Sequence, residues 1–185
     1  LCSASMIAWE KKSGMQNIVF LPIRLDKIWF GKTAALAILL FVTNLFLWIA
    51  TTVAGMAASV TVSPLDGLIG CMLLFLTYLW QIPVIMQLTC FMGHMKVVFV
   101  SLAANVILSA VCAEKEWFLF VPYAIPARVV CPFFKMHVNG IPLEDASSLL
   151  SAGYVFPAVI VSLVFALAVF WGGSKLFSRG GWVHE

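Results

Sequence analysis

The sequence predicts an all-α protein, a polytopic bundle of transmembrane helices, and three observations lead to this prediction. Hydrophobic residues make up 63% of the 185 residues and charged residues only 10%, whereas a soluble domain carries about 25% charged residues. Four stretches contain neither a charged residue nor a histidine, namely Thr33–Leu65, Gly67–Gly93, Val97–Ala113 and Ala146–Ser174. A bilayer core needs about 20 apolar residues as a helix. The run from Leu36 to Trp48 is too continuously apolar for the alternating strands of a barrel.

The elements follow in chain order within a single transmembrane domain, 1–185. Residues 1–9 read as the tail of an earlier span, so we expect an N-terminally incomplete chain. Residues 10–32 alternate basic and apolar side chains, which predicts an amphipathic segment on the cytoplasmic membrane surface. Four spans are expected at about 35–58, 67–90, 96–113 and 152–173, and Pro83 should kink the second of them. Residues 114–151 are rich in proline and aromatic residues, which predicts short helices in the outer interface.

The distribution of lysine and arginine sets the orientation, because cytoplasmic loops are enriched in both. With four spans, both chain ends lie on one side, and that side carries eight of the 11 basic residues: Lys11, Lys12, Arg24, Lys27, Lys32, Lys96, Lys175 and Arg179. The other side carries three: Lys115, Arg128 and Lys135. The acids Asp66, Glu114, Glu116, Glu144 and Asp145 also fall on that second side. We therefore expect the N-terminal segment and the C-terminus in the cytoplasm.

Several function classes are disfavoured by what the spans contain. The histidines, His94, His137 and His184, lie in loops or at the terminus, which disfavours haem held between helices. No acidic residue lies within a span, which disfavours an ion-coupled transporter or an intramembrane protease. The five cysteines show no metal-ligand or disulfide spacing, and no basic run suggests nucleic-acid binding. The sequence thus predicts no catalytic residue, no metal, no bound cofactor and no nucleic acid.

Uncharged polar residues in the spans leave two interpretations open, a polar substrate path or hydrogen bonds between helices. They are Thr43, Asn44, Thr77, Gln81, Gln87, Ser101 and Asn105. Small residues recur every four positions at Ala50, Ala54 and Ala58, and again at Ala158, Ser162 and Ala166. Such stripes let helices approach closely, either within the chain or against a second permease.

Residues 10–32 carry the first resemblance. Their pattern is similar to the first cytoplasmic loop of type-2 ABC exporter permeases through Glu10, Gly14, Pro22, Arg24, Lys27, Trp29, Gly31 and Lys32. In that family the segment forms an elbow and a coupling helix that docks onto the ATPase subunit. The resemblance implies that Asn17, Pro22, Arg24, Asp26, Lys27 and Trp29 couple this chain to an ATPase.

The outer segment carries the second resemblance. The runs Pro122-Tyr123-Ala124-Ile125-Pro126-Ala127-Arg128, Cys131-Pro132 and Asn139-Gly140-Ile141-Pro142-Leu143-Glu144 resemble the outer loop of lantibiotic-immunity permeases. The likeness extends over essentially the whole chain, and six spans are expected in a complete member. The resemblance implies a bacterial plasma-membrane protein that exports an antimicrobial peptide for self-protection. Its implied partners are a cytoplasmic ATPase that binds the ATP, a second permease subunit, the peptide substrate and the lipid bilayer.

A cationic peptide arriving from outside would meet acidic and aromatic residues in the outer segment. The candidate contacts are Glu114, Glu116, Trp117, Glu144 and Asp145. A plainer interpretation is that these acids only keep the segment from crossing the membrane.

Two further functions stay open at this level. One is a non-transporting anchor or assembly subunit of another complex, and the other is an ABC permease for a different cargo such as a lipid or a drug.

Overall fold

The described part of the chain is helical. The computed structural model describes residues 2–12, 24–57, 63–139, 141–143 and 148–178, and within these ranges it contains no strand beyond an isolated bridge between Met136 and Pro142. The helices are α1 (Cys2–Lys12), α2 (Leu25–Ala57), α3 (Pro64–Tyr78), α4 (Gln81–Met92), α5 (His94–Cys112), α6 (Ala124–Phe134) and α7 (Val155–Ser178). The prediction of an all-α protein is confirmed.

Within the described ranges, four helical stretches are long and apolar enough to cross a membrane: Leu25–Met56, Pro64–Met92, His94–Cys112 and Ala152–Ser178. They correspond in number and order to the four predicted spans. The first begins at Leu25 rather than at about 35. Residues 25–32 of the predicted coupling segment therefore belong to the same helix as the first span.

Two local features shape the second span, an interruption near its middle and its end before the third span. Helix α3 ends at Tyr78 and α4 begins at Gln81. Pro83 has no N–H to donate to the carbonyl of Leu79, four residues earlier, so the hydrogen-bond pattern is interrupted there. Helix α4 then ends at Gly93, whose φ of +80° suits glycine, and its N–H donates to the Thr89 carbonyl at 3.2 Å.

Residues 114–151, predicted as an interfacial segment, contain α6 and two 3₁₀ turns, Phe118–Phe120 and Ser148–Leu150, and a third turn, Ala152–Tyr154, follows. Short helical pieces are present where proline and aromatic residues are dense. Their location in the outer interface stays a prediction.

The chain divides into two compact units. The first unit comprises 1–38, 80–103 and 164–185. In it α1 packs against α4, and the largest buried side chains include Ile7, Trp29 and Met86. The rings of Trp29 and Phe177 lie 5.3 Å apart.

The second unit comprises 39–79 and 104–163. In it α3 packs against α6. The approach is close at Gly70, where an added Cβ would lie 2.8 Å from the Phe134 ring. An apolar cluster forms its core, made of Cys112, Ala113, Phe118, Ala124, Ile125, Val129 and Ala158.

Candidate functional site

Arg128 is the centre of the best-defined polar arrangement in the second unit. It lies on α6, and its guanidinium carbon is 5.4 Å from the centre of the Phe118 ring and 4.9 Å from that of Tyr154. The two rings meet edge to face at 5.6 Å. The Arg128 Nη1 donates a hydrogen bond to the Ala113 carbonyl at 3.3 Å. A planar cation against two aromatic rings gains from cation–π attraction, and arginine suits this position better than lysine.

The same arrangement ties together three pieces of chain that are distant in sequence. The Tyr154 hydroxyl donates to the Leu149 carbonyl at 2.8 Å and lies 3.4 Å from the Arg128 carbonyl. The Ser109 hydroxyl donates to the Tyr123 carbonyl at 3.0 Å, at the start of α6. These contacts fix α6 to the end of α5 and to the turn before α7.

A carboxylate and an imidazole lie next to this arrangement. The Glu114 Oε1 is 3.1 Å from the His137 Nδ1, and Glu114 follows the residue whose carbonyl accepts from Arg128. Burial raises the pKa of the nearby Cys131 thiol, while the Arg128 guanidinium lowers it and the Glu114 carboxylate raises it. The charges of Arg128 and Glu114 therefore act in opposite directions on the Cys131 thiol of α6.

The described candidates for peptide contact are accessible. Glu114 and Glu116 are exposed, the Trp117 side chain is 50% exposed, and the neighbouring Phe120 is 86% exposed. Two carboxylates beside exposed aromatic rings can bind a ligand that combines positive charge with apolar side chains. The other two candidates, Glu144 and Asp145, lie outside the described residues.

The candidate coupling residues at the start of α2 divide into exposed and buried ones. Arg24 and Asp26 form a surface ion pair at 3.0 Å, with side chains 79% and 39% exposed, and Lys27 is exposed. Trp29 is buried against Phe177, so it could affect coupling only through its packing inside the first unit. Asn17 and Pro22 lie outside the described residues.

An ion pair that the sequence did not predict joins α1 to α2. Lys32 Nζ pairs with Glu10 Oε2, and the side chains are only 9% and 19% exposed. The Lys32 ammonium also lies 5.9 Å from the centre of the Phe177 ring. Both residues appear in the sequence resemblance, but nothing in the sequence indicates that they meet across a separation of 22 residues.

The polar residues of the spans use their side chains in two ways. The Thr43, Asn44 and Thr77 side chains donate to carbonyls one turn earlier on their own helices. Gln87 instead donates from Nε2 to the Val169 carbonyl of α7 at 3.0 Å. Gln87 thus makes a hydrogen bond of the interhelical kind that the sequence left open.

The small-residue stripes also differ from each other. Ala158 and Ser162 are fully buried, as expected of a packing surface within the chain. Ala50 and Ala54 are exposed on α2. Ala58 lies outside the described residues.

Among the described residues, no group of three or more His, Cys, Asp or Glu side chains could hold a metal ion. Comparison of the sequence with models of protein families, with curated proteins and with solved structures gives no significant match.

Proposed function

We propose that this chain is the membrane-spanning permease subunit of an ABC exporter that removes a cationic, amphipathic antimicrobial peptide from a bacterial plasma membrane. ATP would be bound and hydrolysed by a separate cytoplasmic subunit. The observation that carries the proposal is the exposed group formed by Glu114, Glu116, Trp117 and Phe120 beside the anchored helix α6.

The chemistry of this group suits such a cargo. On the predicted outer side of the membrane, carboxylates attract lysine-rich peptides, and the attraction is stronger at an interface than in bulk water. Exposed Trp and Phe side chains offer apolar contact at the same depth. The contacts of Arg128 support the proposal because they hold the segment that presents these groups.

The predicted cytoplasmic side supports the same function through α2. Arg24 and Lys27 are exposed at its start, where an ATPase could bind them. The helix continues without interruption from Leu25 to Ala57, so a force applied at its start would act on the span itself. The exposed residues Ala50 and Ala54 on this helix are compatible with a second permease subunit packing nearby.

The outer group is tested by measuring peptide resistance. Cells that express the complete transporter should lose resistance when Glu114 and Glu116 are both changed to Gln, because the peptide's cationic groups lose their partners. Asp66→Asn is the matched control, since Asp66 is an acid predicted on the same side but begins α3. Unchanged resistance of the double variant at equal expression would contradict the proposed contact.

The inner group is tested by pull-down of the ATPase. Arg24→Glu combined with Lys27→Glu should reduce the co-purified ATPase, because both cations reverse sign. Lys175→Glu is the control, since Lys175 is exposed in the last turn of α7 and predicted on the same side. If the native chain retains no ATPase at all, the anchor or assembly function replaces the exporter. If an ATPase co-purifies but the transporter does not change the peptide resistance of the cells, the cargo is a different molecule.

A further inference from the structure

A cavity of about 520 Å³ opens in the second unit between the end of α2, the start of α3 and the end of α6. Its lining residues are Thr51, Thr52, Ala54, Gly55, Met56, Ser63, Pro64, Gly67, Phe134 and Met136. Its volume lies within the range of about 300–1,000 Å³ that is typical of small-molecule sites. It is separate from the group around Glu114 and from the Arg128 arrangement, whose residues do not line it.

The walls of the cavity favour an apolar occupant over water. None of the described lining residues is charged. The Thr51 and Thr52 hydroxyls already donate to the carbonyls of Leu47 and Trp48, at 2.9 Å and 2.8 Å. A buried water needs two to four polar partners, and apolar cavities stay dry or take up apolar molecules. Few polar atoms remain here to hold water.

The cavity opens beside exposed apolar side chains of two candidate membrane spans. Met56, at its edge on α2, is 79% exposed, and Leu65, on the first turn of α3, is 65% exposed. Both helices belong to stretches long enough to cross a membrane. A hydrocarbon chain in the bilayer can therefore reach the cavity along apolar side chains without passing through water.

We propose that this cavity binds an acyl chain of a membrane phospholipid. The proposal needs only that α2 and α3 cross a membrane, and it stands whether or not the chain belongs to an ABC exporter. Side chains that line an empty cavity lack van der Waals contacts on one side. A bound acyl chain would supply these contacts along three helices of the second unit.

The test compares two alanine variants of α2. Ala54 lines the cavity and Ala50, one turn earlier, does not, although both are exposed alanines of the same helix. Purified native chain, Ala54→Phe and Ala50→Phe are reconstituted into vesicles of phosphatidylethanolamine and phosphatidylglycerol that contain a phospholipid with a diazirine on its acyl chain. After illumination, mass spectrometry locates the adducts. Native chain and Ala50→Phe should carry adducts on partly buried lining residues such as Phe134 and Met136, and Ala54→Phe should lose about 90% of them, a tenfold change.

The result is interpretable even if Ala54→Phe fails to fold. Met136→Trp fills the cavity from the segment that follows α6 instead. Circular dichroism with size-exclusion chromatography identifies the variants that keep their helices. Equal adducts on lining residues in the filled variants and in Ala50→Phe would overturn the proposal. Adducts restricted to exposed residues outside the cavity, such as Phe46 and Val53, in the native chain would also overturn it, because the cavity would then be closed to lipid.

Discussion

The first compact unit contains a largely buried ion pair, Glu10 with Lys32, whereas the second holds an arginine against two aromatic rings with a backbone carbonyl as its hydrogen-bond acceptor. The units also differ in packing. Each contains a closely packed glycine, Gly173 beside Gln87 and Trp29 in the first and Gly70 beside Phe134 in the second, but the second also contains a cavity of about 520 Å³.

This difference has a consequence for mutations. A buried ion pair depends on both partners, because removal of one leaves an uncompensated charge in an apolar surrounding. Replacing a cation that stacks on aromatic rings removes only the cation–π attraction, because no opposite charge is left behind. The largest single-residue effects are therefore expected in the first unit.

The ion pair gives the largest expected effect. Lys32→Met removes the cation that contacts Glu10 Oε2 in a largely buried setting and should lower the free energy of unfolding by about 3 kcal/mol. Denaturant unfolding of the detergent-solubilised protein, followed by tryptophan fluorescence, measures this. Glu10→Leu combined with Lys32→Met should recover part of the loss, because no charge is then left buried.

The surface pair is the control for this prediction. Asp26→Asn breaks the exposed pair with Arg24 and should cost less than about 1 kcal/mol. An equal loss in Lys32→Met and Asp26→Asn would show that the pair between α1 and α2 is solvated, and the contrast between the units would disappear.

Packing around Gly173 gives the next largest effect. In Gly173→Ala the new Cβ would overlap Gln87 Nε2 and lie 2.5 Å from the Trp29 ring, so α7 must move or the side chains must shift. Such overpacking costs about 1–3 kcal/mol. The thermal midpoint of unfolding in detergent measures the change.

Gly172→Ala is the matched control, since its Cβ would meet nothing within 4 Å. Alanine there should stabilise the helix by up to about 1 kcal/mol, because glycine is the poorer helix former. A rise in the midpoint for both variants would mean that the first unit is packed more loosely than described.

The sequence predicted the helices well because a membrane span is specified by composition. Thr33–Leu65 and Ala146–Ser174 exclude charge over more than the thickness of a bilayer. The sequence predicted a separate surface segment over residues 10–32, so it did not indicate that one helix continues from Leu25 into the first span. Arg24, Asp26 and Lys27 look like a surface segment in sequence, yet helical backbone geometry continues through such residues when they lie at a helix end.

The sites were less predictable because they depend on contacts between distant positions. Phe118 and Tyr154 are 36 residues apart in the sequence. Their rings contact each other in the fold, and Arg128 of α6 contacts both. The resemblance of residues 10–32 implied a coupling role for Trp29, but a single sequence does not indicate that its ring is buried against Phe177. The sequence likewise does not indicate which of the adjacent glycines Gly172 and Gly173 packs against another helix.

The Arg128 arrangement gives a smaller effect. Arg128→Lys keeps the charge but loses the planar group between the rings and the geometry of the hydrogen bond to Ala113. We expect a loss of about 1 kcal/mol in the free energy of unfolding, measured as for Lys32. Lys115→Gln, an exposed position predicted on the same side, should change it by less than about 0.5 kcal/mol. A loss in Arg128→Lys as large as in Lys32→Met would remove the distinction between the two units.

The smallest effect is a change of thiol chemistry without a change of fold. Burial raises the pKa of Cys131, so its thiol stays protonated to higher pH than an ordinary cysteine and alkylates slowly at neutral pH. Because Glu114 raises this pKa further, Glu114→Gln should shift the pH midpoint of alkylation downward. Arg128 lowers it, so Arg128→Met should shift the midpoint upward. The rate of alkylation by iodoacetamide as a function of pH, on a variant that keeps only Cys131, measures both shifts. Poor access to the thiol slows the reaction at every pH without moving the midpoint, so the midpoint reports the effect of the charges. Shifts of the same sign in the two variants would show that the guanidinium and the carboxylate do not act on α6 as opposing charges.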